Sequence, residues 1–457
     1  MPHYFAPLAY LPTGWHSDVC IEVDPNGMIV ATTANHSGEN CQRLSGALVP
    51  GMPNLHSHAF QRAMAGLSEQ RNHPHDSFWS WREQMYQVAL TITPEQMYQI
   101  ARYLYIELLE GGYTSVAEFH YLHHDPTGQP YAPVDEMVDA ISRAATDAGI
   151  ALTLLPTLYS YSDFASAPPS QMQRRFIQST EQYLRQIERI KPLIAGRAQQ
   201  RMGGCFHSLR ACTAQQITQV LEELPNDWPI HLHISEQQQE VNRSLAVHGT
   251  TPLHWLSEHV ELDARWCLIH ATHLSEAERH YAACQQAVIG LCPSTEASLG
   301  DGIFNAVDYL AQGGRIGIGS DSHVCTDVSE ELRWLEYTQR LTAQQRNCLA
   351  SRAHPSTGER LLRATLQGGA QALAQPVGQI NTGFRADWLM LDLDNPWLMQ
   401  TPSTHLLDSW LFAHPKRAIK AVMVAGRWRV QSGEHDIKAQ ASQALTDALR
   451  SLRQALS

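Results

Sequence analysis

No Cys-x-x-Cys pair occurs in these 457 residues, no Gly-x-Gly-x-x-Gly turn, and no uninterrupted apolar run near the ~20 residues of a membrane helix. The nine cysteines, at 20, 41, 205, 212, 267, 284, 292, 325 and 348, are odd in number and scattered. That spacing excludes a zinc knuckle and argues against a disulfide frame, leaving reduced thiols. Basic residues are also short: 33 Lys and Arg stand against 45 Asp and Glu, for a net charge of −12. The balance disfavours nucleic acid and anionic membranes as partners. The opening Met1-Pro-His-Tyr-Phe-Ala-Pro7 lacks a basic stretch followed by an apolar core, so no secretory signal is visible. Neither an internal repeat nor a low-complexity tract is evident. The expectation is a soluble cytoplasmic protein.

What is present is material for a core. Hydrophobic residues make up 43% of the chain and charged residues 17%, which marks a globular protein. The length admits one large α/β barrel with an appended domain. Residues 17–23 alternate as a strand, Asp24-Pro-Asn-Gly27 turns, and 28–32 is a second strand, too little β structure to stand alone. From 48 onward apolar strands alternate with amphipathic helices. Strands are expected at 47–55, 114–118, 150–155, 202–206, 230–234, 267–270, 287–292 and 315–319. Eight near-continuous apolar strands separated by helices imply a parallel sheet, and eight is the number that closes a barrel. After strand one, Thr93, Pro94 and Gln96 spell a helix start, and Gly111-Gly112 its end. Beyond Leu373 the strand pattern returns at 386–392, 419–425 and 426–430, and a last helix spans about 437–455. Stretches 161–172 and 341–355 read as loops. The expected division places 1–47 and 374–457 in a small β-sandwich domain formed by both chain ends, the latter part carrying the terminal helix. The (β/α)8 barrel, 48–373, is inserted between them.

The run Leu48-Val-Pro-Gly-Met-Pro-Asn-Leu-His56-Ser-His58 ends strand one with histidines at i and i+2, whose side chains share one side of an extended chain. In a chain with 24 histidines such a pair means little alone. In a barrel, however, chemistry gathers at the C-terminal ends of the strands. Strand five ends His231-Leu-His233-Ile-Ser-Glu236, strand six Ile269-His270-Ala-Thr-His273, and strand eight Gly319-Ser-Asp321-Ser-His323. His56, His58, His233 and Asp321 would surround one divalent ion and leave a position for water. Zinc is the first expectation, one ion per chain, although iron and manganese fit such donors as well.

His56-x-His58, His233, His270 and Asp321 on successive strands resemble the amidohydrolase superfamily over essentially the full chain. The resemblance implies a distorted (β/α)8 barrel and hydrolysis at a carbon bearing nitrogen. Members with two metals carry a carboxylated lysine at the end of strand four; Met202-Gly-Gly-Cys-Phe-His-Ser-Leu-Arg210 offers no lysine, so a single ion is expected. Glu236, three residues after His233, matches the mononuclear deaminase branch. Within that branch, His56-Ser-His-Ala-Phe-Gln-Arg-Ala-Met-Ala-Gly66, Glu118-Phe-His-Tyr121 and Gly319-Ser-Asp-Ser-His323 resemble the formimidoylglutamate deiminase family. This implies zinc-dependent deimination of N-formimino-L-glutamate to N-formyl-L-glutamate and ammonia in histidine degradation, by a homodimer. The alternatives are a guanine- or cytosine-type aminohydrolase with one zinc, or an imidazolonepropionase. A barrel that has lost catalysis conflicts with the complete ligand set.

Roles follow from that reading. Asp321 would ligate the ion and accept a hydrogen bond from its water, Glu236 would carry a proton to the leaving nitrogen, and His270 would orient the water. A fourth ligand histidine is the alternative for His270, and an ordinary first-turn carboxylate the alternative for Glu236. The implied substrate is a small dicarboxylate with a cationic formamidine, and guanidinium is the best fork for a carboxylate. Arg210, three residues after His207, supplies one beyond strand four. The resemblance also places Gln61, Tyr121 and His207 on the substrate, and Arg82, in Phe78-Trp-Ser-Trp-Arg82, could close over it as a lid. The plain alternatives are surface ion pairs for the arginines, packing for Tyr121 and a helix cap for Gln61. Trp79 and Trp81 are expected to pack, and Glu296 to meet the amidine or form a salt bridge. His120, His123, His124, His273 and His323 are expected behind the site or at the surface.

Overall fold

The computed structural model describes all residues except 72, 73, 75, 133, 134, 414–417 and 457. Eight parallel strands form its centre: β1 (Met52–Ser57), β2 (Tyr113–His120), β3 (Ala151–Leu158), β4 (Gly204–Ser208), β5 (Ile230–Ile234), β6 (Trp266–His270), β7 (Val288–Leu291) and β8 (Arg315–Ile318). Each pairs in parallel with the next. Every residue of β1, β2, β3, β5, β6 and β7 is buried, as a sheet covered on its outer face by helices and filled inside requires.

The near-closed barrel is completed just beyond β8. Asp321 N–H donates to His56 O at 3.0 Å, and His58 N–H donates to Asp321 O at 3.1 Å. Gly319 permits this approach. A Cβ there would lie 2.7 Å from His56 Cβ and 2.9 Å from its backbone nitrogen and oxygen, closer than packed atoms tolerate.

The strand expected at 47–55 is two strands divided at Gly51. Ala47–Pro50 belongs to a second sheet and Met52–Ser57 to the barrel. The expected 202–206 is likewise divided, with Gln200–Met202 and Gly204–Ser208 both alongside β3. The second sheet has nine strands and takes them from both ends of the chain. Ala47–Pro50 lies within it, parallel to His3–Leu11 on one side and antiparallel to Trp388–Leu391 on the other. The expected sandwich is realised as one sheet folded over on itself. Ile29 N–H donates to Phe384 O and Ala386 N–H to Gly27 O, both at 2.8 Å, drawing distant strands together around Tyr4, Ile21, Leu48, Trp388 and Met423.

Helix α1 spans Phe78–Thr91 and helix α2 Pro94–Glu110. Thr93 caps α2 as its sequence indicates, its hydroxyl accepting from Gln96 N–H at 3.2 Å while Gln96 Oε1 accepts from Thr93 N–H at 2.9 Å. The terminal helix, Lys438–Leu456, packs on α2 through buried Ala441, Ala448 and Leu452. The loop expected from 341 starts later, because the helix Val328–Ala343 runs into it; 161–172 holds a tight turn closed by an Asp163–Ala167 bridge and the start of the short turn Gln171–Gln173. Among the described residues no helix is long and apolar enough to cross a membrane.

Candidate active site

The rim of the barrel gathers the strand ends. His56 and His58 leave β1, and His233 leaves β5; all three are buried. His58 Nδ1 lies 2.9 Å from Phe119 O, and His233 Nδ1 lies 2.9 Å from His207 O. A carbonyl only accepts, so both imidazoles carry their proton on Nδ1 and turn a bare Nε2 inward. These two lone pairs face one another at 3.4 Å, and His56 Nε2 stands 3.1 Å from His233 Nε2. Asp321 Oδ1 lies 3.4 Å from His56 Nε2 and 3.5 Å from His58 Nε2. Ligand atoms about 2.0–2.1 Å from a tetrahedral ion stand roughly 3.3–3.4 Å apart, so these separations suit a metal site. Burial, and for His56 and His233 the crowding of other imidazoles, keeps all three rings below their ordinary range and therefore neutral.

Several rim residues hold unusual backbone. Ser235, His270, Ala271, Asp321 and His323 all have φ between +45° and +64°, a left-handed conformation that costs a non-glycine residue roughly 1–3 kcal/mol. They lie where β5, β6 and β8 turn into loops, and the turn directs His270 and Asp321 toward the histidine cluster.

His270 sits among carboxylates. Its Nε2 lies 3.7 Å from Asp321 Oδ2 and 3.9 Å from Glu236 Oε1, while its Nδ1 lies 3.2 Å from Glu296 Oε1. Burial opposes the charged ring, but Glu236, Glu296 and Asp321 together outweigh it and raise its pKa to about 10. Burial also lifts the Glu236 carboxyl above its ordinary range, favouring the protonated form. Glu296 does not line the cavity; it supports His270 from behind, its Oε1 also accepting from Cys292 N–H at 2.8 Å.

Beside this cluster lies a small cavity of about 40 Å³. Gln61, Arg82, Tyr121, His207 and Arg210 all line it, together with His58, His233, Glu236, His270 and Asp321. Gln61 Nε2 donates to the Tyr121 hydroxyl at 3.1 Å, while Gln61 Oε1 is buried without a partner among the described residues. The two guanidinium groups lie by the same aromatic ring. Arg82 Cζ lies 4.5 Å and Arg210 Cζ 5.7 Å from the ring centre of Trp79. Neither arginine forms a salt bridge among the described residues, and the buried Nε of each has no partner there. Burial works against Arg210, yet the charges of Glu240 and Glu236 more than offset it and hold the guanidinium above its ordinary pKa.

Sequence reasoning missed several groups. Trp81, expected only to pack, lines the cavity, and so do Met85, Tyr86, Tyr159, Phe176 and Leu299. Arg82 is on a formed helix, α1, where Trp81, Arg82, Met85 and Tyr86 share the cavity-facing side. Their i, i+3, i+4 spacing was the available signal. Glu118 anchors the end of β1 from behind, accepting from Ser57 Oγ at 2.5 Å, Ala59 N–H at 2.7 Å and the Tyr105 hydroxyl at 3.0 Å. His323 is buried there too, its ring between Ser57 Oγ at 3.1 Å and Ser320 Oγ at 2.9 Å. His123, His124 and His273 bond to backbone carbonyls of Thr157, Ile177 and Asp301, and His120 is buried on β2.

Over 453 residues, 99% of this chain and 100% of the relative, the sequence is 52% identical to formimidoylglutamate deiminase of Pseudomonas aeruginosa. The crystal structure of an amidohydrolase from Brucella melitensis superposes with a TM-score of 0.94 at 43% identity, covering 99% of this chain and 100% of that one. An adenosine deaminase from Xanthomonas campestris with bound zinc has the same fold at 21% identity, with a TM-score of 0.80 over 99% of this chain and 98% of that one. The amidohydrolase family pattern matches residues 47–429, and the chain belongs to the amidohydrolase family.

Proposed function

We propose that the protein is a formimidoylglutamate deiminase, hydrolysing N-formimino-L-glutamate to N-formyl-L-glutamate and ammonia in histidine degradation. The observation that carries the substrate is the pair Arg82 and Arg210, two guanidinium groups lining the cavity, neither in a salt bridge among the described residues. The buried Nε of each has no hydrogen-bond partner among the described residues, and an incoming dicarboxylate supplies acceptors for such guanidinium groups. A nucleobase offers no such anion, which counts against the guanine- and cytosine-type alternative. The identity with the Pseudomonas aeruginosa enzyme supports the same reading.

His56, His58, His233 and Asp321 are the residues we assign to a zinc ion, one per chain. Bound there, the ion supplies a Lewis acid that makes water a competent nucleophile near neutral pH. The chain's own groups then move protons. Asp321, facing both the histidine cluster and His270, accepts one from the attacking water. Glu236, whose carboxyl burial favours in protonated form, donates to the departing nitrogen so that ammonia leaves. His270, held cationic by Glu296 and Asp321, orients the water and steadies negative charge developing on its oxygen. Arg82 and Arg210 take the carboxylates; Gln61, Tyr121 and His207 complete the polar lining. The nine cysteines are free thiols, which suits a reducing cytoplasm, and a homodimer is the assembly we assign.

Ammonia release measured with the metal-loaded protein on N-formimino-L-glutamate and on a nucleobase panel tests the assignment. Turnover of the first and silence on the second is the expected result; the reverse overturns it.

A further inference from the structure

A second group of metal-binding side chains lies in the outer sheet, outside the family-matched residues 47–429. Strand His3–Leu11 sets Phe5 opposite Cys20 on one side and Tyr4 opposite Gln42 on the other. Tyr4, Val19 and Ile21 point into the core of the sheet. Alternation along the strands therefore puts His3, Cys20 and Cys41 together on the opposite face. The sulfurs of Cys20 and Cys41 are 3.1 Å apart, and these two and a ring nitrogen of His3 all lie within 4.8 Å of one another. Cys20 is buried, whereas His3 and Cys41 are half-buried, so the group is closed beneath and open above. Among the described residues the His3 ring has no hydrogen-bond or ion-pair partner, and Cys20 Sγ contacts only Cys41 in this way. Cys41 Sγ also donates to Glu39 O at 3.5 Å.

We propose that His3, Cys20 and Cys41 form a second metal site, for a soft transition ion of the zinc class, with solvent in the fourth position. Two sulfurs each about 2.3 Å from a tetrahedral ion stand roughly 3.7 Å apart, so the pair need separate by well under an ångström. Cys41 precedes the two-residue strand Gln42–Arg43 and lies at the mouth, where that adjustment is available. On binding, each thiol releases its proton to solvent and a sulfur–metal bond replaces the S–H bond. Without an ion, burial and the neighbouring Cys41 push the Cys20 thiol up to about 12, and the ion's charge reverses that preference. The bound ion would tie the segment before Gln42 to the first two strands.

The test uses the full chain, stripped with a chelator and reloaded with cobalt(II). The cluster assigned to catalysis presents nitrogen and oxygen only, so thiolate-to-cobalt absorption in the near ultraviolet reports a different site. The band is expected in the wild type and absent from Cys41→Ser, which also binds one equivalent less cobalt per chain with its hydrolytic rate unchanged. Cys20→Ser provides a second variant with the same expected loss. A wild-type protein without the band, or a band that survives both substitutions, overturns the proposal. So does recovery of Cys20 and Cys41 as a disulfide from protein purified without oxidant. Because the readout is spectroscopic, it stands apart from whether the substrate assignment holds.

Discussion

His56 Nε2, on β1, and His233 Nε2, just 3.1 Å away on β5, bring two strands that are not sheet neighbours into contact across the barrel mouth. The His233 proton is on Nδ1, so this nitrogen presents a lone pair to its neighbours. A cation relieves the repulsion. Chelation should abolish turnover and lower the melting temperature by several degrees, with zinc restoring both. Calorimetry and an ammonia assay on the same sample check this; full activity after exhaustive chelation contradicts the metal assignment.

The metal-free protein should also be acid-sensitive. Ten histidines, His56, His58, His120, His123, His124, His207, His231, His233, His248 and His323, are held below their ordinary pKa chiefly by burial. A lowered histidine leaves the folded state short of protons relative to the unfolded chain, so its contribution is complete above about pH 6.5 and lost below. The five carboxyls raised by burial, Glu118, Glu236, Glu240, Asp301 and Glu331, act in the opposite sense above their ordinary range, as does His270 between about 6.5 and 10. The histidines outnumber them on the acid side. The melting temperature should peak near neutrality and fall toward pH 5; a steady rise on acidification contradicts the burial argument.

Arg210→Met removes one anchor from the cavity without touching the histidine cluster. The loss of a charge-assisted hydrogen bond, about 1.5–3 kcal/mol, should raise KM by roughly 10- to 100-fold. Zinc content should be unchanged. A variant that loses metal or unfolds would show Arg210 to be structural.

Glu296→Gln keeps the shape beside His270 Nδ1 and removes the charge. With one anion fewer, the imidazolium is less favoured, so the alkaline limb of the kcat profile should move to lower pH. The expected loss in kcat is about tenfold, with KM little altered. An unshifted limb means that His270 does not depend on Glu296.

Gly319→Ala probes the closure of the barrel. Its Cβ would meet His56 at 2.7 Å, so β1 and the end of β8 must separate. A cost of about 1–3 kcal/mol in denaturant melts is expected, along with weaker zinc retention. A wild-type midpoint with full zinc would show that the rim has more slack than its contacts imply.

The central strands were legible because parallel strands buried on both faces read as unbroken apolar runs; 230–234 coincides with β5. The histidines and acids at strand ends follow, since the chemistry of a barrel has one address. What escaped was set by distant partners. Residues 47–55 form one apolar run, and only pairing with Trp388–Leu391 divides it at Gly51. Glu118 and Glu296 are isolated acids along the chain, and their support of Ser57 and His270 exists only once separate strands converge. Helix α1 carries aromatic and polar residues on several faces, so its periodicity was weak.

Strand Ala47–Pro50, gripped between neighbours from both chain ends, continues through Gly51 into β1. The outer sheet is thus a mechanical anchorage for the histidine pair. Tension or disorder applied at the N-terminus reaches His56 along an unbroken backbone before it can reach His233 or Asp321. A fusion tag at the N-terminus is therefore not innocent, and comparing metal occupancy between tagged and cleaved protein measures how much load the anchorage passes on.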